Sequence, residues 1–138
     1  MKMKVKLDPG AIMPTRAHET DAGLDLYSPE RIVIFAGSRE SIDTGVHVAI
    51  PEGYVGMITS KSGLMASGIT CRGTIDCGYT GSIRAVLYNN GYERVVIEKG
   101  QKITQLVILP IITPELELVD ELDATERGNG GFGSSGKF

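Results

Sequence analysis

Apolar residues recur at every second position through most of the chain. Val46, Val48 and Ile50 alternate with Gly45, His47 and Ala49; after Pro51-Glu52-Gly53 the alternation resumes at Val55, Met57 and Thr59. That pattern predicts a hairpin with a short turn. Ile83 to Asn89 predicts another strand, and Asn90-Gly91 is a strong hairpin signal, because a type I′ turn needs positive φ at both positions. Tyr92 to Glu98 returns from it. Gln101 to Leu109 carries apolar residues on both faces, which predicts a central strand. Shorter strands are expected at Lys2–Leu7, Gly23–Tyr27, Arg31–Phe35 and Leu116–Val119. Only Ser62–Ser67 offers a helix, of one or two turns. Many short strands separated by turn signals indicate an all-β sandwich or barrel.

A chain of 138 residues and 14.8 kDa is one domain. Fourteen basic against seventeen acidic residues give a net charge of −3, which argues against bulk nucleic acid or an anionic membrane as main partner. The apolar run Leu106–Leu109 ends at Pro110, far short of the ~20 residues of a membrane span. No apolar leader follows Met1-Lys2-Met3-Lys4, so a cytoplasmic protein is expected. Two cysteines and two histidines make a disulfide framework or a Cys/His zinc site a poor fit. Cys71 and Cys77 read as reduced thiols near the site, and His18 and His47 as surface or strand-face residues. Glycine is in excess, with 18 residues, and five of them fall in the twelve residues RGNGGFGSSGKF at 127–138. Residues 1–119 are expected to form the β-domain and 120–138 a linker and glycine-rich arm.

Five stretches carry candidate chemistry. The C-terminal GFGSSGK at 131–137 meets seven places of a phosphate-binding loop, but Phe138 stands where Ser or Thr should hold magnesium. No helix follows to aim its amides at phosphate, so a P-loop enzyme is rejected. Glycine backbone, the hydroxyls of Ser134 and Ser135 and the Arg127 guanidinium still suit an anion, and Phe132 offers a face for a base. AGLDLYS at 22–28 places Asp25 on a strand, either as a solvated carboxylate or as a functional one. SKSGL at 60–64 sets hydroxyls around Lys61 before the short helix, a setting that suits an anion. GTIDCGYTG at 73–81 places Asp76 and Tyr79 three residues apart among glycines, either in a plain turn or lining a pocket. In GQKITQLVILP at 100–110, Gln105 is a polar residue in an apolar strand and needs a partner, from the core or from a ligand.

In order and together, these stretches resemble the five motifs of the homotrimeric dUTP pyrophosphatases, from about Pro14 to Gly136. The resemblance implies a jelly-roll-like subunit with one short helix, assembling as a trimer with shared sites. It implies cleavage of dUTP to dUMP and pyrophosphate by water attack at the α-phosphorus, with Mg2+. That reaction limits uracil in DNA and supplies dUMP for dTMP synthesis. By motif matching, Asp76 resembles the carboxylate that orients and deprotonates the water. The backbone around it, Gly73 and Ile75 included, resembles the hairpin that reads uracil. Tyr79 resembles the aromatic under deoxyribose, and Ser62 the hydroxyl at the α–β bridging oxygen, flanked by Lys61 and Gly63. Gln105 resembles the amide near the α-phosphate and the water. Asp25 resembles the carboxylate that supports the metal through water, the ion being held mainly by the phosphates. Phe132 and Gly133 resemble the lid over uracil, and Arg127, Ser134 and Ser135 the clasp on the β- and γ-phosphates.

Three departures stand out. Lys61 replaces the family's usual Arg and loses its bidentate fork. Thr70 and Arg72 lie in a run without a close match, and Ser135 replaces a frequent Thr. A related group, the dCTP deaminases, carries a catalytic Glu on the strand after the third motif. Ser82–Tyr88 has no carboxylate. A dUTPase-like binding module is the other alternative; a regulatory protein partner has no sequence signature here.

Overall fold

The period-two segments do become strands. The computed structural model describes residues 1–138 and contains eleven strands and one short helix. In chain order these are β1 (Lys4–Leu7), β2 (Gly23–Tyr27), β3 (Ile32–Ile34), β4 (Arg39–Asp43), β5 (Val46–Ala49) and β6 (Tyr54–Ser60). Then follow α1 (Ser62–Ala66), β7 (Ile69–Thr70), β8 (Gly73–Ile75), β9 (Arg84–Asn89), β10 (Val95–Ile97) and β11 (Lys102–Pro110). All pairings are antiparallel. A four-stranded sheet has the order β2-β11-β6-β8, a three-stranded sheet the order β4-β9-β7, and β1-β5 and β3-β10 form two-stranded ribbons. This is the expected all-β, jelly-roll-like architecture with its short helix.

The sheets enclose one core. Leu26, Leu106 and Ile58 enter it from the four-stranded sheet, and Ile42, Ala85, Leu87 and Ile69 from the three-stranded one. The ribbons add Val46, Val48, Ile34 and Ile97. Alternation is what sorts these residues, since neighbours in a strand point to opposite faces. In β9, Ala85, Leu87 and Asn89 are buried while Arg84 and Tyr88 are exposed. β11 departs from strict alternation. Its register against β2 shifts between Lys102 and Thr104, and this bulge buries Ile103 and Thr104 together.

Two expected hairpins are corrected. The strands on either side of Pro51-Glu52-Gly53 exist, but β5 pairs with β1 and β6 pairs with β11 and β8. Likewise β9 pairs with β4 and β7, while β10 pairs with β3. Asn90-Gly91 does not form a type I′ turn, because neither residue has positive φ. The buried Asn89 takes over instead. Its Nδ2 donates to Ile34 O (3.0 Å) and Glu93 O (2.8 Å), and its Oδ1 accepts from Gly91 N (3.0 Å). A side chain thus turns the chain and directs β10 to another sheet. Leu116–Val119, expected as a strand, forms none. No neighbouring strand in the chain reaches it, and a strand without a ladder partner leaves its backbone groups to water. β4, β7 and β8 were not expected.

Gly68 is held where only glycine fits. Its φ is +87°, and a Cβ there would stand 2.8 Å from Gly91 N. Gly68→Ala is expected to lower unfolding free energy by about 1–3 kcal/mol through backbone strain and overpacking, read by denaturant unfolding.

Candidate active site

β11 is paired on both sides, which aligns polar residues from three strands. Gln105 stands opposite Asp25 of β2 and opposite Thr59 of β6. Directly paired residues share a face, so the three side chains lie on the same side of the sheet. Gly23, two residues before Asp25, makes room for Gln105. A Cβ at Gly23 would overlap the Gln105 carboxamide, lying 2.8 Å from its Cδ. The carboxamide makes no hydrogen bond within the chain. Of the two readings for this residue, satisfaction in the core is therefore not the one observed.

Asp25 is 4% exposed, and both its oxygens are occupied. Lys61 Nζ donates to Oδ1 at 2.6 Å and Lys102 Nζ pairs with Oδ2 at 2.8 Å. Burial alone would raise this carboxyl, but the hydrogen bonds from Lys102 and Lys61 outweigh it and hold the group below its ordinary value. Lys102 shifts upward in return, mainly through its hydrogen bond to Asp25. The cluster carries two ammonium groups and one carboxylate, a net charge of +1 beside an unpartnered carboxamide. Asp25 is thus not a solvated carboxylate. Lys102 was not singled out from the sequence: only the bulge beside it turns its ammonium toward Asp25, and no local pattern announces a bulge.

Lys61 directly precedes α1, so Ser62 and Gly63, both exposed, begin the helix beside this cluster. Asp76 lies elsewhere. It follows β8 at the sheet edge, where Ile75 pairs with Gly56 and Gly73 with Ile58. Extending that register sets Asp76 level with Val55, two strands and four residues from Gln105. Strand spacings of ~4.8 Å and rises of ~3.4 Å then separate the two by roughly 17 Å. Asp76 is exposed and its carboxylate has neither an ion-pair nor a hydrogen-bond partner. Tyr79 N donates to Asp76 O (3.0 Å) and closes a tight turn; Tyr79 Oη donates to Ser82 O (2.9 Å). Cys77 lies exposed in this turn, but Cys71 is a core residue whose thiol burial pushes up. Cys71 nevertheless borders the Asp25 face from below, since its backbone exchanges two hydrogen bonds with Ser60 Oγ (2.9 Å each), next to Lys61.

The C-terminal arm forms a separate small loop. Arg127 Nε donates to Gly130 O (2.8 Å), Ser134 N to Gly131 O (3.1 Å) and Gly136 N to Gly133 O (3.0 Å). Arg127, Gly130, Ser134 and Ser135 line one concavity, while Phe132 is fully exposed at φ 48°. No hydrogen bond joins residues 112–138 to the remainder of the chain. One chain therefore presents three separate clusters: the Asp25 face with Lys61, Ser62 and Gln105, the Asp76–Tyr79 turn, and the arm.

No three acidic, histidine or cysteine side chains converge anywhere in the chain. The one buried carboxylate of the face is already bound by two ammonium groups, so this donor set does not fit a resident metal ion. No helix is long and apolar enough to cross a membrane.

A jelly-roll-like β-domain that displays a basic face, a free turn carboxylate and a Gly/Ser/Arg arm has the groups to bind a phosphate-bearing ligand and to orient a water. The dUTPase family model matches residues 10–136, and the chain belongs to the dUTPase family. It is 44% identical to the deoxyuridine 5'-triphosphate nucleotidohydrolase of Clostridium acetobutylicum, with 99% of this chain and 96% of that one covered. Identity to the same-named protein of Clostridium kluyveri is 46%, with 99% of each covered. A structure of Staphylococcus bacteriophage 80alpha dUTPase with dUPNHPP superposes with a TM-score of 0.92, at 39% identity and 98% coverage of both chains. A structure of phage phi11 dUTPase is described as showing coordination of a structural Mg(II) ion; its TM-score is 0.82 at 36% identity, covering 88% of this chain and 98% of that one.

Asp25→Asn leaves two ammonium groups facing a neutral amide. The expected loss is about 2–4 kcal/mol, below that of a fully buried pair because both lysines are partly in solvent. Since the folded-state pKa is lowered, the Asp25 contribution is complete above about pH 4 and is lost as pH falls through the folded value. Unfolding measured between pH 7 and 3 should therefore fall less steeply for the variant than for the natural chain.

Proposed function

We propose that the chain hydrolyses dUTP to dUMP and pyrophosphate, in a site built from three copies of itself. The observation that carries this reading is the state of Asp76: an exposed carboxylate with no partner, on a turn braced by Tyr79. Membership of the dUTPase family supports the reaction. In this reading Asp76 orients the water and takes its proton as it attacks the α-phosphorus. Tyr79 packs under deoxyribose, and the backbone from Gly73 through Ile75 to Asp76 reads the uracil edge. Gln105 donates its free amide near the α-phosphate. Ser62 donates to the bridging oxygen, where charge grows as pyrophosphate leaves, so its effect falls mainly on the transition state. Lys61 and Lys102 supply the positive field beside it, with Gly63 allowing close approach of the backbone. The arm contributes Phe132 and Gly133 over the base and Arg127, Ser134 and Ser135 on the terminal phosphates.

Geometry supports the sharing of sites. A base and the amide that positions its water act within a few ångströms of each other. The separation of roughly 17 Å within one chain, built from strand spacing and rise, is far too large for that. A second observation supports assembly. Ile112, Leu116, Leu118 and Leu122 are 89%, 96%, 100% and 88% exposed, in an extended segment without a ladder partner. Such a segment suits strand addition to another copy. Magnesium, in this reading, arrives on the nucleotide's phosphates rather than on a protein site.

The test is a panel of dUTP, UTP, dTTP and dCTP with magnesium, run beside a mass measurement of the assembled protein. Pyrophosphate release from dUTP, strongly preferred over the others, by a trimer is expected; ammonia release from dCTP would overturn the assignment. Asp76→Asn should lower turnover by about 10²–10⁴-fold, the usual worth of a positioned base. Wild-type turnover in that variant would remove Asp76 from the role. Deleting Arg127–Phe138 should leave a folded trimer with little activity, and full activity in that truncation would show the arm is not a lid.

A further inference from the structure

His47 links the residue that follows β1 to the turn that follows β8. It lies on β5 with its side chain 19% exposed. Its Nε2 stands 2.9 Å from Asp8 Oδ2, and its Nδ1 stands 2.8 Å from Thr80 O. Thr80 belongs to the turn that begins at Asp76. A backbone carbonyl only accepts, and an ionised carboxylate only accepts. Two acceptors at these distances need two N–H donors, which only the doubly protonated imidazolium provides.

The anchor side of this link is rigid. β1 and β5 pair over their whole length, with Lys6 opposite His47, and Asp8 N donates to Gly45 O at 2.9 Å. The turn side is not self-supporting, for Asp76 through Thr80 are all exposed. Side-chain bonds tie the turn and its exit to the rest of the chain at two points. One is His47 to Thr80 O; the other is the short hydrogen bond from Ser82 Oγ to Asp43 Oδ1. Tyr79 shares the second anchor, since its Oη donates to Ser82 O.

We propose that His47, as an imidazolium bridging Asp8 and Thr80, is a positioning residue that holds the Asp76–Ser82 turn in its nucleotide-binding shape. The role rests on the reading of that turn as part of the dUTP site. Charged groups around the ring act in both directions. Asp8 at the end of β1 and Asp43 at the end of β4 favour the imidazolium, and Lys6 opposite it on β1 opposes it. The hydrogen bonds to Asp8 and to Thr80 O raise the imidazole above its ordinary value. With a raised folded value, the strut is complete below about pH 6.5 and is lost as pH rises through that folded value. The turn is therefore firmest in mildly acidic solution and loosens as pH rises through the folded value of His47.

The test reads the turn with and without substrate. The chain has only two histidines, so the ring of His47 can be followed by NMR in the assembled protein. Its midpoint should lie above ~6.5 and fall in Asp8→Asn. Protection of the Tyr79 amide against exchange, corrected for intrinsic rate, should drop as pH rises through that midpoint. In His47→Gln it should be low and flat. kcat/KM for dUTP should fall about 2–10-fold in His47→Gln, the change one net hydrogen bond is worth, with kcat sharing in the loss because the same turn carries Asp76. A midpoint indifferent to Asp8→Asn, or Tyr79 protection equal in His47→Gln and the natural chain, would overturn the proposal. Should His47→Gln fail to fold, the titration in the natural chain and in Asp8→Asn still decides. Absence of dUTP turnover in the natural chain would sink the substrate assignment alone, because midpoint and protection are measured without nucleotide.

Discussion

The two-sided pairing of β11 is the constraint on which the molecule depends. A strand that spends its backbone hydrogen bonds on neighbours at both edges cannot slide, because a slip of one residue would exchange its core and outer faces. That fixed register sends Leu106 into the core and sets Gln105 level with Asp25 and Thr59. The bulge at its start adds Lys102 to the same group. Core and polar face are therefore two sides of one ladder, and neither can be redrawn without the other.

Electrostatics on that face follow from burial. A carboxylate as enclosed as Asp25 must be paired, and here it is paired twice. The arrangement does more than neutralise a charge. It holds two lysine ammonium groups at fixed places, which offsets the flexibility of their long side chains. The surplus positive charge then faces outward from a rigid support.

Much of the strand content was legible because alternation reports directly on which face is buried. β2 was expected with its observed bounds, β11 was expected as a central strand, and the helix was placed within a residue. What stayed hidden has common physical causes. β4 buries only Ile42, so its alternation is faint. Turn signals reveal that the chain reverses, but not which sheet receives it, and both expected hairpins failed on that point. The Asn89 side chain, not the Asn90-Gly91 dipeptide, decides the second case. The motif residues could be named from their order, but the ion pairs of Asp25 join residues 36 and 77 positions away along the chain, beyond the reach of local pattern. His47 read as an ordinary strand residue for the same reason, since its partners come from positions 8 and 80.

The distance between Gln105 and the Asp76 turn bears on inheritance as well as on chemistry. Under the proposed assembly a working site belongs to no single polypeptide. A cell making both an intact chain and one damaged at the turn would build mixed trimers, and each damaged chain would silence a site to which its intact neighbours contribute sound parts. Conversely, chains damaged in different clusters could restore one another's activity when co-assembled. Dominance and complementation between alleles would then follow from how far apart one sheet places two side chains.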